Sequence, residues 1–445
     1  MDTNQQIKLS DHFTYGKILR FTLPSVAMMI FTSIYGVVDG FFVSNFVGKI
    51  PFAAVNFIMP YLMVLGGLGF MFGTGGSALV SKTLGERNPQ KANQIFSLLI
   101  YISLALGIVI SVVGILILRP VASALGAQGQ LLDDCVTYGS VILLALPAYI
   151  LQLEFQSFFV TAEKPKLGLY MTIASGVTNM VLDAVLVIPF GLVGAAIATG
   201  MSQLVGGVFP LLYFSRNNSS LLQLGKAKFD GQSLLRTFTN GSSELLNNIS
   251  MSLVGMLYNI QLLAYAGENG VAAYGTIMYV NFVFISAFIG YSIGTAPVVG
   301  YHFGAGNHEE LKSMLKKSVV LIGMTSVIMF GAGILLASPL SKIFVGYDAA
   351  LLAMTVNGFK IFAVSFLFAG FAIFGSGFFT ALNDGLTSAV IAFLRTLVFQ
   401  AASVLLLPLI YEINGIWWSA VVAEMLAVAV SLILLICKRK KYGYL

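Results

Sequence analysis

Long apolar runs, cut by short clusters of charged, Gly, Asn and Pro residues, follow one another along the whole chain. They fall at 18–46, 52–80, 93–118, 135–160, 168–188, 191–214, 234–265, 271–300, 314–338, 351–379, 386–409 and 414–437. A helix needs about 20 predominantly apolar residues to cross a bilayer, and each run has that length. The runs are too long for transmembrane β-strands and do not alternate. The pattern predicts an all-α integral membrane protein with twelve transmembrane helices, here called spans 1 to 12.

The pattern also repeats. A shift of 219 residues places Ala53-Ala54 on Ala272-Ala273, Met59 on Met278, Gly75 on Gly294, Thr161-Ala162 on Thr380-Ala381 and Pro189 on Pro408. The loop 84–88 falls on 303–307, so that Gly85 and Asn88 meet Gly304 and Asn307. Two further residues of shift bring Gly194 onto Gly415 and Gln203 onto Glu424. Self-similarity at one offset over most of a chain marks a duplicated unit. Because six is even, both copies enter the membrane from the same side. The halves are therefore two parallel-topology six-helix lobes related by a pseudo-twofold axis along the membrane normal. The expected lobes are 1–214 and 234–445, joined by the hydrophilic stretch 215–233.

Composition narrows the function. Hydrophobic residues make up 58% of the chain and charged residues only 9%, against about 25% charged in soluble domains. A soluble enzyme, a nucleic-acid-binding domain and a disordered chain are excluded. The net charge of +6 is a matter of topology. With the N-terminus inside, 19 of the 24 Lys and Arg residues fall in inner loops, and only Lys49, Arg119, Lys342 and Lys360 lie outside. The positive-inside rule then puts both termini in the cytoplasm. Cys135 and Cys437 come out on opposite faces, so no disulfide joins them. His12, His302 and His308 are scattered without metal-ligand spacing, and no Ser–His pair is in evidence. No enzyme activity and no cofactor are expected. Two helical lobes without a catalytic domain suit a transporter that rocks about a shared cavity.

Ionisable groups inside a bilayer are costly enough to need a reason. Asp39 in span 1 lies about 10 Å from the outer end, Asp183 in span 5 about 9 Å and Thr199 in span 6 about 12 Å, at 1.5 Å per residue. Asn179 is one helical turn from Asp183, on the same face. Two carboxylates, an amide oxygen and a hydroxyl in one layer suit a hard cation such as Na⁺, or one shared proton. The plainer reading is that Asp39 and Asp183 only accept helix–helix hydrogen bonds. The second half holds no copy, since Asp39, Asn179 and Asp183 become Tyr258, Val398 and Ala402. Any coupling site would belong to the N-terminal lobe. Arg395 and Glu424 sit at matching depth on consecutive spans, either paired structurally or lining a substrate cavity. Glu244 near the start of span 7 and Glu154 in span 4 are further candidates for that cavity. Gln152, Glu154 and Gln156 cannot all share one face. Pro24 should kink span 1.

These residues carry a resemblance. Pro24 with Val38-Asp39-Gly40-Phe41-Phe42-Val43, Ala53-Ala54-Val55, the paired loops around Gly85–Asn88 and Gly304–Asn307, Gly241-Ser242-Ser243-Glu244, and Val271-Ala272-Ala273-Tyr274-Gly275 together resemble the multidrug and toxic compound extrusion (MATE) family. The likeness is to its bacterial branch with staphylococcal-type multidrug efflux members, and it covers essentially the whole chain. The resemblance implies that Asp39, Asn179, Asp183 and Thr199 bind the coupling cation or proton. Ser202, one turn away, competes with Thr199 for that role. Some relatives use a carboxylate in the middle of span 7; Glu244 lies earlier, and that role is not transferred to it. The resemblance further implies a Na⁺- or H⁺-coupled antiporter exporting organic-cation drugs and toxic compounds by alternating access. Its expected setting is the bacterial plasma membrane, as a monomer among lipids, with no metal beyond a coupling Na⁺. The rival is a flippase for a lipid-linked precursor, of the same superfamily. It would call for a basic lateral opening, and Arg395 is the basic residue placed near mid-membrane.

Overall fold

The computed structural model describes residues 6–444. Its helices are α1 (Tyr15–Phe46), α2 (Lys49–Gly85), α3 (Pro89–Ala124), α4 (Gly129–Thr161), α5 (Pro165–Ser215), α6 (Gly231–Gly304), α7 (His308–Val345), α8 (Ala349–Ala363), α9 (Phe366–Ala381), α10 (Gly385–Phe393), α11 (Gln400–Leu406) and α12 (Pro408–Tyr442). No strand occurs among the described residues. α1 to α4 are spans 1 to 4. α5 holds spans 5 and 6 and turns at Gly191 (φ 56°, ψ −131°), while α6 holds spans 7 and 8 and turns at Gly267 (φ 62°, ψ −156°). α7 is span 9, and α8 and α9, bent by 49°, form span 10. α10, a π-helical stretch Leu394–Phe399 and α11 form span 11, and α12 carries span 12. The result is twelve transmembrane helices in two lobes. The segment 216–230 between them is not helical.

The helices overrun the apolar runs. Span 2, read as 52–80, is helical over Lys49–Gly85, because hydropathy marks the part in hydrocarbon whereas hydrogen bonding continues into the polar layer. Pro24 does not interrupt α1, which is helical from Tyr15 to Phe46. Proline removes one helical hydrogen bond, and the backbone holds helical dihedrals across it. Cys135 and Cys437 are both free thiols.

The repeated loops have a local explanation. Asn88 Oδ1 accepts from the backbone N–H of Lys91 and caps α3, and Asn307 Oδ1 accepts from Glu310 and caps α7, each at 3.1 Å. An asparagine at this position satisfies one of the orphan N–H groups of a helix start. Gly85 and Gly304 let the two lobes touch. A Cβ at Gly85 would lie 2.0 Å from the carbonyl oxygen of Tyr301, and one at Gly304 would lie 2.0 Å from that of Lys82. Lys82 and Tyr301 are themselves related by the 219-residue shift, so the contact is symmetric about the pseudo-twofold axis.

Among the described residues, the hydrogen bonds and close glycine contacts between lobes lie from mid-membrane to the face bearing the basic loops. Gly67 meets Asn248 at mid-span, Gly75 meets Thr237 and Gly241, Gly290 meets Ser25 and Val26, and Ser33 bonds Ser286. The N-terminal segment seals the basic face. The Leu9 N–H donates to Glu163 Oε1 at 2.6 Å, on the loop between spans 4 and 5. The Phe13 N–H donates to Glu310 Oε1 at 2.9 Å, at the start of span 9, and Lys317 donates to the Phe13 carbonyl. Leu9 and Phe13 are fully buried. Burial holds the Glu163 carboxyl above the usual range, although the Leu9 N–H bond pulls it down. The lobes are thus joined on the basic face.

Candidate functional site

Span 5 brings Asn179 and Asp183 to one buried face, 1% and 0% exposed. The turn at Gly191, in a conformation that glycine reaches without a Cβ clash, folds span 6 back alongside. That return sets Thr199 level with them. Span 1 supplies Asp39, which is also buried. Thr199 Oγ1 donates to Asp39 Oδ1 at 3.1 Å, and Asn179 Nδ2 donates to Thr199 Oγ1 at 3.4 Å. Asn179 and Asp183 lie beside Asp39 as well. Ser202 turns away, its hydroxyl donating to the carbonyl of Thr199 at 2.8 Å. Thr199 is therefore the hydroxyl of the cluster.

The cluster is rich in acceptors and poor in donors. Both oxygens of Asp183 and Oδ1 of Asn179 are buried with no protein hydrogen-bond partner. Two carboxylates side by side in a low-dielectric layer repel, and full ionisation of both is strongly disfavoured. A monovalent cation ligated by these oxygens, or a proton shared between the acids, removes the conflict. Among the described residues, no group of three or more His, Cys, Asp or Glu is placed to hold a metal ion. The donor set suits a small hard cation instead. Tyr138 of span 4 faces Asp39, Asp183 and Thr199, and Tyr35 of span 1 faces Gln152, Tyr149 and Asp39. Sequence reading missed both tyrosines, because nothing in the sequence fixes which way a span is rotated.

The C-terminal lobe differs at the equivalent place. The Tyr258 hydroxyl donates to Gln400 Oε1 at 2.8 Å, and its ring stacks on Tyr274 with centroids 4.8 Å apart. Arg395 and Glu424 pair through two nitrogens: Arg395 Nε lies 2.8 and 3.0 Å from the two carboxylate oxygens and Nη2 lies 2.8 Å from one of them. Arg395 sits in the π-helical stretch Leu394–Phe399, which the sequence did not signal. Glu244 is half-buried beside Asn247 and close to Arg395. Glu154 is fully buried, and its Oε2 accepts from Ser103 of span 3 at 2.5 Å. Its position two residues from Gln152 and Gln156 turns it to the opposite side of span 4.

Comparison with known proteins agrees with this architecture. The MatE family model matches the chain twice, over residues 24–185 and 245–405, once in each lobe. The multidrug export protein MepA of Staphylococcus saprophyticus is 26% identical over 437 residues, covering 95% of this chain and 94% of its own. MepA of Staphylococcus aureus is 26% identical over 431 residues, covering 96% and 94%. A solved structure described as the outward-facing conformation of a multidrug resistance MATE family transporter of the MOP superfamily superposes with a TM-score of 0.93 at 21% identity, covering 100% of both chains.

Proposed function

The chain belongs to the MatE family, and from that premise we propose that it is a Na⁺- or H⁺-coupled antiporter that exports organic-cation drugs by alternating access. The observation that carries the reading is the donor-poor cluster of Asp39, Asn179, Asp183 and Thr199 in one lobe only. The staphylococcal relatives, named as multidrug export proteins, support the choice of cargo. The protein sits in a bacterial plasma membrane with its basic face and both termini in the cytoplasm, and it works as a monomer.

In this reading the lobes alternate between closing the cytoplasmic side, through the Gly85 and Gly304 contacts, and closing the outer side. Drug enters when the cleft faces the cytoplasm. Cation or proton binding from outside at Asp39 and Asp183 favours a packing of spans 1, 5 and 6 that releases the drug outward. A ligand shifts a conformational equilibrium only by its differential affinity for the two states, and coupling is reciprocal. Drug and cation must therefore each favour the state the other disfavours. The flippase reading gains no support, because Arg395, the basic residue of span 11, is held by Glu424. The test is dye efflux from vesicles holding the purified protein, with Na⁺ and pH gradients imposed separately. Efflux driven by either gradient is the expected result; efflux indifferent to both overturns the proposal.

A further inference from the structure

The mechanism above leaves unused the buried polar groups that continue the face of Asn179 and Asp183 towards the cytoplasm. On span 5, Thr172, Ser175, Asn179 and Asp183 recur every three or four residues and so share one face. At 1.5 Å per residue they reach about 16 Å from the carboxylates towards the basic face. All four are buried. Span 4 sets Gln152 and Gln156 against them, one turn apart, 4% and 3% exposed. Gln152 Nε2 donates to Ser175 Oγ at 3.2 Å, and Ser175 Oγ donates to the Ser202 carbonyl at 2.7 Å. Gln156 is left with both its Oε1 and its Nε2 buried and without a protein partner. Such atoms are costly to bury unless solvated.

There is space to solvate them. Gln152, Gln156, Thr172 and Gly206 line a small pocket closed by Phe155, Phe159 and Met171, with room for water of about 10 Å³, roughly one molecule. Below it, the Phe155, Phe159 and Phe214 rings pack together with centroids 5.2 to 6.4 Å apart. The arrangement is a polar step beneath the carboxylates, followed by an aromatic plug. Neutral amide and hydroxyl oxygens ligate a small hard cation without holding it, as a transit site must.

We propose that Gln156, with Gln152, Ser175 and Thr172, forms a hydrated transit site through which the coupling cation leaves Asp39 and Asp183 for the cytoplasmic side, inside the N-terminal lobe and apart from the drug cleft. This rests on the cation-coupled reading. The ligand is a small monovalent cation with its water, Na⁺ or hydronium. The aromatic plug makes the route a gated step and prevents uncoupled leak.

The test is Gln156→Met, which keeps the length of the side chain and removes its polar end, in vesicle dye efflux under separate Na⁺ and pH gradients. The expected result is at least a ten-fold loss of efflux under the gradient that drives the parent protein, with dye Kd and Tm unchanged. Which of the two gradients is affected identifies the ion. Gln156→Ser, which leaves room for water, is expected to keep at least half of the parent rate, and this second variant decides the matter if Gln156→Met does not fold. Parent-like efflux by Gln156→Met, or loss of efflux in Gln156→Ser, overturns the transit site. Failure of the underlying reading is separate, because it shows in the parent protein as indifference to both gradients.

Discussion

Arg395 and Glu424 are 13% and 7% exposed and joined by a bidentate bond. Removing one member strands a buried charge, at about 3–5 kcal/mol, whereas removing both is often neutral. Arg395→Met and Glu424→Gln should each lower Tm in detergent more than the double variant does; a double variant equal to the sum of the singles would show the pair to be uncoupled. Asp384 offers a pH test outside the membrane. Burial pushes its carboxyl up, but bonds from Lys438 (2.7 Å), Tyr442 (2.8 Å) and the Thr387 N–H outweigh that and hold it below the usual range. A carboxyl held low in the folded state stabilises fully above its unfolded value, about 3.9, and that stabilisation fades as pH falls through the folded one. Asp384→Asn should therefore cost about 1.5–3 kcal/mol at neutral pH, with the gap in Tm closing towards acid. At this scale the sequence was legible where helix period alone decides, as for Asn179 and Asp183 one turn apart. It was silent on Tyr35 and Tyr138, and on the Ser103 bond of Glu154, because depth is read from spacing while rotation about a span's axis depends on its neighbours.

The elements meet at places the repeat had marked without explaining. Gly85 and Gly304 align because each lets a backbone from the other lobe approach, and Asn88 and Asn307 align because each caps the next helix. Gly85→Ala or Gly304→Ala forces backbone against backbone and should favour the form open on the basic face. Single-cysteine labelling at Ser81, now shielded beside Gly300, should rise several-fold in either variant, and unchanged labelling would show that the contact does not set the gate. The turn between spans 11 and 12 makes a second case. Glu412, exposed, holds φ 50° and ψ −134° where the first lobe has Gly191 at φ 56° and ψ −131°. Non-glycine residues in such regions carry about 1–3 kcal/mol of strain. Glu412→Gly should raise Tm, and a fall would mean that the side chain is needed there. Local composition does not signal this strain or the π-helical stretch in span 11, since both arise from packing.

For the whole molecule, the twelve spans and the two lobes were readable from hydropathy and the 219-residue repeat. Those signals follow from the bilayer and from duplication, and tertiary detail does not disturb them. The closure of the basic face was not readable, because the N-terminal residues that seal it, Leu9 and Phe13, lie before the first apolar run. The proposed function turns on the asymmetry between the lobes: Asp183 without a donor in the first, Tyr258 bonded to Gln400 in the second. The most direct test is gradient-driven dye efflux by vesicles carrying Asp39→Asn beside vesicles carrying Tyr258→Phe at the duplicate position. Asp39→Asn should fold, reach the membrane and bind dye, yet export at least ten-fold more slowly, while Tyr258→Phe keeps most of the parent rate. Near-normal export by Asp39→Asn, or an equal loss from Tyr258→Phe, would contradict the assignment of coupling to the N-terminal lobe.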